Sequence, residues 1–324
     1  MTGSMLVTGA SGVIGRELVQ QATEQGWEVV GCASTAADGT VPWVMGVQPA
    51  PQELRRGWDV IVHVAARPRL DMALEQAEAA NVVPVLALTE VFAPQTHLIH
   101  VSTAFATGRC GTVDSSDPRD YRNSYEWSKA WSERVAVERY APLTIVRPCL
   151  VIGRRRDGAV ARFTGLYEFV YGFGMGMVPE LVGFPWALVD LVSVCDVADC
   201  ILRLAAGAAP GSTRVESLGR GAGAMTVQVV AERAIGAING VRVGKGLPPM
   251  ALPPIVAPGG CAPASAPPTR KLMDTLMEYL SIVDPLPVTW LVKPMEDCLD
   301  QAMGWWAVRR PELALQAVAP WERR

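Results

Sequence analysis

A short apolar run, Met5 to Thr8, passes directly into Gly9-Ala-Ser-Gly12-Val-Ile-Gly15. Beyond it Val13, Ile14, Leu18, Val19 and Ala22 recur on one helical face until Gly26 stops the pattern. The order is strand, glycine turn, helix. Glycines at this spacing let the backbone turn sharply and approach a pyrophosphate closely, while the start of the helix aims its amides and dipole at the charge. Gly9, Ser11, Gly12, Val13, Ile14, Gly15 and Arg16 are therefore the expected contacts of a dinucleotide.

The pattern repeats downstream. Glu28 to Ala33 reads as a second strand, Val41 to Met45 as a brief third, Asp59 to Val64 as a fourth and His97 to Ser102 as a fifth. Leu70 to Val91, which contains Asn81, is broadly helical with Pro84 interrupting it. Strands alternating with helices of these lengths imply parallel β-α-β units, whose ligands sit at the carboxyl ends of the strands. The expected fold is α/β: a doubly wound parallel (Rossmann) sheet formed mainly by residues 1–150. Residues 151–324 are expected to supply mainly a smaller C-terminal substrate-binding lobe, interleaved with the core.

The end of the second strand bears on the cofactor. An acid there would bond both ribose hydroxyls of NAD and repel a 2'-phosphate. Cys32, Ala33, Ser34 and Thr35 stand there instead, and Arg16 follows the third glycine. Two hydroxyls and a nearby cation favour NADP (NADPH) over NAD, although Arg16 reads equally as a solvated helix residue. At the end of the fourth strand Ala65 and Ala66 are small enough for a cofactor to lie against them.

Composition narrows the classes. In 324 residues, half of them apolar, a net charge of -3 with no basic stripe argues against a nucleic-acid partner. Seven scattered cysteines without a Cys-x-x-Cys pair argue against a disulfide framework and a zinc knuckle, and read as reduced thiols in a cytoplasm. No stretch reaches the ~18 uninterrupted apolar residues of a membrane span, and no leader pattern opens the chain. The expectation is a soluble, unprocessed, cytoplasmic protein, compatible with a homodimer, that takes a small-molecule or carrier-bound substrate. The three histidines, His63, His97 and His100, lack an accompanying carboxylate or cysteine cluster, so they read as core residues and no metal is assigned.

Ser124 to Glu133 places Tyr125 and Lys129 four residues apart, on one face of a helix. A lysine ammonium held near a phenol lowers its pKa from ~10, and such a pair suits proton transfer to or from an oxygen. Thr103 falls at the end of the fifth strand, where its hydroxyl serves either a substrate oxygen or simply the backbone.

With Thr-Gly-Ala-Ser-Gly-Val-Ile-Gly at 8–15, His-Val-Ser-Thr-Ala-Phe-Ala-Thr-Gly at 100–108, Tyr125 and Lys129, the sequence resembles an extended short-chain dehydrogenase/reductase. The resemblance spans about residues 4–200. It implies that Thr103 is the active-site Ser/Thr, Tyr125 the acid/base, and Lys129 the group that binds the nicotinamide ribose and tunes the tyrosine. It also implies that Pro148, in Ile145-Val-Arg-Pro-Cys149, lies beside the nicotinamide. Residues 100–105, 125–133 and 189–198 look most like the branch of fatty acyl-CoA reductases and thioester-reductase domains. Two features depart from that family. Gly46-Val47 stands where the family often has Gly-Asp, whose acid meets the adenine, so that contact is not expected, and neither is the additional C-terminal domain of stand-alone fatty acyl reductases.

The function implied is NADPH-dependent reduction of an aldehyde, ketone or acyl thioester through Thr103, Tyr125 and Lys129. An NAD-dependent nucleotide-sugar epimerase is the alternative, and a non-catalytic cofactor-sensing regulator a second. Ala104 and Phe105 occupy the positions where sugar dehydratases of this superfamily carry Asp-Glu, which disfavours dehydration. Retention of Tyr125 counts against the regulator.

Later features are less patterned. Arg154 to Arg156 reads as a solvated loop or as a grip on a phosphate of the substrate arm. Arg162 to Phe173 reads as a helix whose aromatics serve core or pocket. Asp196 to Ala206, Val227 to Ile238, Lys271 to Leu280 and Met295 to Val308 also read as helices. Residues 247–268 are rich in proline, alanine and glycine, unsuited to a helix or central strand, and read as a lid or spacer.

Overall fold

The computed structural model describes residues 3–35, 39–174, 180–258 and 277–316. The chain forms two compact units: residues 1–149 with 195–218, and residues 150–194 with 219–324.

In the first unit, the described residues form seven parallel strands. In chain order these are β1 (Ser4–Thr8), β2 (Glu28–Ala33), β3 (Thr40–Pro42), β4 (Val60–His63), β5 (His97–Val101), β6 (Leu143–Pro148) and, for the last, Arg214–Gly219. Across the sheet they run β3-β2-β1-β4-β5-β6 and then Arg214–Gly219. The order reverses at β1, as the doubly wound expectation requires, and the crevice at such a reversal is where these sheets bind ligands. Helix α1 (Val13–Glu24) follows the glycine turn as expected, and Gly26, at φ +82, ends it.

Two elements differ from expectation in this unit. The third strand stops at Pro42, which has no N–H for the ladder. Beyond it Trp43 turns inward, and Gly46 at φ +77 carries a turn in which Val47 and Gln48 donate to the Val44 carbonyl. The 70–91 stretch is broken into α2 (Leu74–Asn81), α3 (Val83–Ala87) and a 3₁₀ turn at Leu88–Glu90. The break falls before Pro84, which is tolerated in the first turn of α3 where its missing N–H costs nothing.

The core on one side of the sheet joins Leu6, Ile61, Leu98 and Ile145 to Val85, Leu88, Trp43 and Trp58, to Ala136 of α4 (Ser124–Arg139) and to Tyr140 just beyond it. Trp43 and Trp58 are almost wholly buried, and each buries its ring for roughly 2–3 kcal/mol. Their indole N–H groups donate to Gln48 O at 3.1 Å and Leu54 O at 2.9 Å, so burial leaves neither donor unpaired.

In the second unit Leu150–Ile152 pairs in parallel with Leu191–Ser193. Helix Leu166–Gly174 begins four residues later than expected, because Gly165 adopts φ +60, outside the right-handed helical region. Helix Val227–Val243 packs against helix Glu296–Arg309. Of the proline-rich stretch, Ile255–Val256 forms a two-residue parallel pairing with Leu181–Val182, while 259–268 lies outside the described residues. So does the larger part of the helix expected at 271–280. No described helix is long and apolar enough to cross a membrane.

Candidate active site

The turn after β1 is tightly built. Gly9 sits at φ +68, where a Cβ would lie 2.7 Å from the Ala65 nitrogen, and at Gly15 a Cβ would lie 2.2 Å from the Gly9 carbonyl oxygen. Gly12 N–H donates to Gly9 O at 2.9 Å, and Ala10 N–H donates to Cys32 O at 3.0 Å, which pins the turn to β2. Gly12 caps α1 without a side-chain hydrogen bond, and no acid stands in the first turn, so the leading amides keep their positive potential. These features fit the pyrophosphate of a dinucleotide. Ala65 is half-buried and Ala66 exposed just beyond β4, while Ser34, Thr35 and Arg16 are all exposed.

The second cluster gathers at the end of β5. Thr103 is buried and extended, and it caps the 3₁₀ turn Ala104–Thr107, its Oγ1 accepting from Phe105 N–H at 3.4 Å. That long bond is the backbone role weighed from sequence, and it leaves the hydroxyl hydrogen available to a further acceptor. The turn packs on α4. At the start of α4, Asn123 accepts from Glu126 N–H at 3.0 Å, and the Glu126 carboxylate accepts from Arg122 N–H at 3.1 Å and from its guanidinium at 3.4 Å. Ser124 Oγ donates to Met72 O at 2.8 Å. The first turn that carries Tyr125 is thus held from three sides.

Burial pushes the Tyr125 phenol above its ordinary range, and the neighbouring Glu126 carboxylate adds to the shift. Lys129 is almost wholly buried, and its ammonium donates to the Val101 carbonyl at 2.9 Å, two residues before Thr103. Burial brings its pKa down to about 8, opposed by the Glu133 carboxylate. Glu133 is itself buried and clasps Arg147 of β6, with Arg147 Nε 3.0 Å from its Oε1. Pro148, also buried, ends β6.

Sequence reasoning passed over two contributors. Asn81 Nδ2 donates to Ser128 Oγ at 2.8 Å, and its Oδ1 accepts from Arg67 N–H at 2.7 Å, so it ties the segment after β4 to α4. Glu126 is the buried carboxylate that bears on Tyr125; the signal was the Asn123-x-x-Glu126 spacing of a helix start. Other candidates prove structural. Arg154 pairs with Asp157 at 3.0 Å, and Arg155 donates to the carbonyls of Pro294 and Lys293 at 2.8 and 3.0 Å, so two of the three cations fasten a loop. Tyr167 is buried, with its hydroxyl accepting from Gly153 N–H at 2.9 Å, and Phe169 packs with Leu181, Ala187 and Leu280. Among the described residues no group of His, Cys, Asp or Glu side chains is arranged to hold a metal ion.

Comparison with known proteins agrees with this layout. The family model described as Male sterility protein matches residues 47–201, a span that takes in the whole cluster at the end of β5. The match supports an extended short-chain dehydrogenase/reductase. That family comprises NAD(P)-dependent enzymes. Among curated relatives, the chain is 27% identical over 175 residues to methionine adenosyltransferase 2 subunit beta of Danio rerio, covering 51% of this chain and 53% of that one. It is 28% identical over 203 residues to dTDP-4-dehydrorhamnose reductase of Mycolicibacterium smegmatis, covering 59% of each. The chain thus spans between half and two thirds of the length of these curated relatives. Its fold matches the terminal R domain from the myxalamid PKS-NRPS biosynthetic pathway with a TM-score of 0.68 at 18% identity, over 96% of this chain and 91% of that one.

Proposed function

We propose that this dehydrogenase/reductase reduces a carbonyl, an aldehyde, ketone or acyl thioester, with NADPH as its cofactor. The observation that carries the reading is the placement of Thr103 just after β5, ahead of a turn that packs on α4, the helix that bears Tyr125 and Lys129, with the Lys129 ammonium on the Val101 carbonyl of β5, in the same unit as an uncapped glycine turn. The resemblance of residues 100–105, 125–133 and 189–198 to thioester reductases supports acyl thioesters within that class. In this reading Gly9, Gly12 and Gly15 admit the pyrophosphate, and Ala65, Ala66 and Pro148 flank the rest of the cofactor. The nicotinamide, when bound, supplies hydride.

The chain's own residues handle the oxygen and the proton. Thr103 and Tyr125 donate hydrogen bonds to the substrate oxygen, and Tyr125 transfers its proton as negative charge develops there. A raised phenol pKa keeps Tyr125 protonated at neutral pH, so it starts as an acid. Charged Lys129 then stabilises the phenolate left behind. Because burial brings the Lys129 pKa down to about 8, reduction is expected to be flat below that pH and to decline above it, where the charge is lost. A pH profile of NADPH oxidation checks this; a rate that rises steadily to pH 10 contradicts it.

Preference for NADPH rests on the missing acid after β2 and on exposed Arg16, Ser34 and Thr35. Arg16→Ala is expected to weaken NADPH about tenfold while leaving NADH within about twofold, the loss of one charge-assisted contact. Titrating both nucleotides into both proteins measures it, and equal loss for the two cofactors would remove Arg16 from the phosphate site. Tightly held NAD in the purified protein, with no NADPH turnover, would favour the epimerase instead.

A further inference from the structure

The segment that leaves β4 carries two arginines, and they differ in what they meet. Arg69 pairs with Asp71, its Nε on Oδ1 at 3.1 Å and its Nη2 on Oδ2 at 2.9 Å. Arg67 is exposed and forms no ion pair among the described residues, although Glu75 and Glu78 of α2 follow it in the chain. An exposed arginine is ordinarily a solvated surface group. The backbone beneath this one is built as a surface loop rarely is.

Asn81 is almost wholly buried and holds Arg67 by both of its backbone polar groups. Its Oδ1 accepts from Arg67 N–H at 2.7 Å, and its Nδ2 donates to Arg67 O at 3.5 Å and to Ser128 Oγ at 2.8 Å. Arg67 O also accepts from Arg69 N–H at 2.9 Å. Ser128 in turn donates to Tyr125 O at 2.9 Å. Farther along the segment, Met72 O accepts from Ser124 Oγ at 2.8 Å. These ties fasten the stretch from Arg67 to Met72 to the start of α4, where Tyr125 stands. With its backbone fixed, the Arg67 side chain is the part left to meet a ligand, and little ordering remains to oppose binding.

Strand β4 lies between β1 and β5, so this segment leaves the sheet at its carboxyl end, between the glycine turn and Thr103. Its first residues serve the cofactor side: a Cβ on Gly9 would lie 2.7 Å from the Ala65 nitrogen. Two residues later the side-chain ties run to α4 instead, the helix whose phenol meets the substrate oxygen. On the reductase reading proposed above, we infer that Arg67 determines specificity by pairing with an anionic group, carboxylate or phosphate, on the substrate. The carbonyls reduced here are then anionic compounds. A guanidinium suits that task, since its planar fork gives a carboxylate or phosphate two parallel hydrogen bonds. The other cation at the start of α4 is already engaged, because Arg122 donates to the Glu126 carboxylate at 3.4 Å.

Two pairs of carbonyls that share a reacting end and differ in charge test this: 4-oxobutanoate against butanal, and acetyl-CoA against the neutral thioester S-acetyl-N-acetylcysteamine. Wild type is expected to favour the anionic member of at least one pair by about tenfold in kcat/KM, a preference that weakens as salt is raised. Arg67→Ala is expected to raise KM for that member about tenfold with kcat within about twofold, and Arg67→Lys to recover part of the loss. Melting temperature is expected to hold in both variants, because the backbone bonds to Asn81 remain. NADPH affinity is expected to stay within about twofold; a loss of about tenfold there gives the anion to the cofactor and overturns the proposal. A wild type indifferent to charge in both pairs, or an unchanged KM in Arg67→Ala, overturns it as well. If wild type oxidises NADPH with none of these carbonyls, the reductase reading fails, and calorimetric binding of succinate and inorganic pyrophosphate to the NADPH-loaded protein decides Arg67. Binding about tenfold weaker in Arg67→Ala supports the anion site, and equal binding by the two proteins overturns it.

Discussion

Tyr125→Phe is expected to bind NADPH as wild type does and to lose turnover by about a thousandfold, the scale of removing a positioned general acid. The phenyl ring keeps the volume of the original. The helix start does not depend on the hydroxyl, because Asn123, Glu126 and Ser124 hold it through their own hydrogen bonds. Stability should therefore stay within about 0.5 kcal/mol, the range of substitutions that break no named contact. Nucleotide titration and NADPH oxidation, measured on the same preparation, separate binding from chemistry. Turnover near that of wild type would remove Tyr125 from the role of acid.

Gly15→Val should fail earlier, at the cofactor. A Cβ at this position meets Gly9 O at 2.2 Å and Ala10 Cα at 2.8 Å, both backbone atoms that cannot swing aside. The turn must open, which costs about 2–3 kcal/mol and destroys the close approach on which the pyrophosphate depends. The expected outcome is a lower melting temperature and at least a hundredfold weaker NADPH binding, read by thermal shift with and without nucleotide. Gly236→Ala is the contrasting control. It lies within the helix Val227–Val243 with nothing within 4 Å of its added carbon, so it is expected to stabilise by about 0.5–1 kcal/mol and to leave binding unchanged. Similar damage from both substitutions would show that the glycine turn has no special status.

These two positions also mark what was legible in the sequence. Gly9, Gly12, Gly15 and Gly26 punctuate the first β-α unit so strongly that strand, turn and helix fall where the pattern places them. Glu28–Ala33 was bounded by the same kind of signal. Where local chemistry opposed periodicity, the pattern misled. Val41 to Met45 reads as a strand by composition, yet Pro42 and the left-handed Gly46 end the ladder early; Arg162 to Phe173 reads as one helix, yet Gly165 delays its start. Tyr125 and Lys129 were visible because both lie on one helix. The bond from Lys129 to Val101 O, the pairing of Asn81 with Ser128, and the stack of His63 on His100 join residues 28, 47 and 37 positions apart. Such contacts depend on strand order and register, which periodicity within a single segment does not encode.

The central claim is carbonyl reduction by NADPH, and a single-turnover assay tests it most directly. Purified protein is loaded with stoichiometric NADPH and challenged with an acyl thioester, an aldehyde and a ketone, while loss of NADPH absorbance is followed and the product identified. The account predicts that at least one carbonyl is reduced with equivalent oxidation of NADPH, and that NADH serves less well. Protein that arrives with NAD already bound, and that oxidises no NADPH against any of the three, would contradict it.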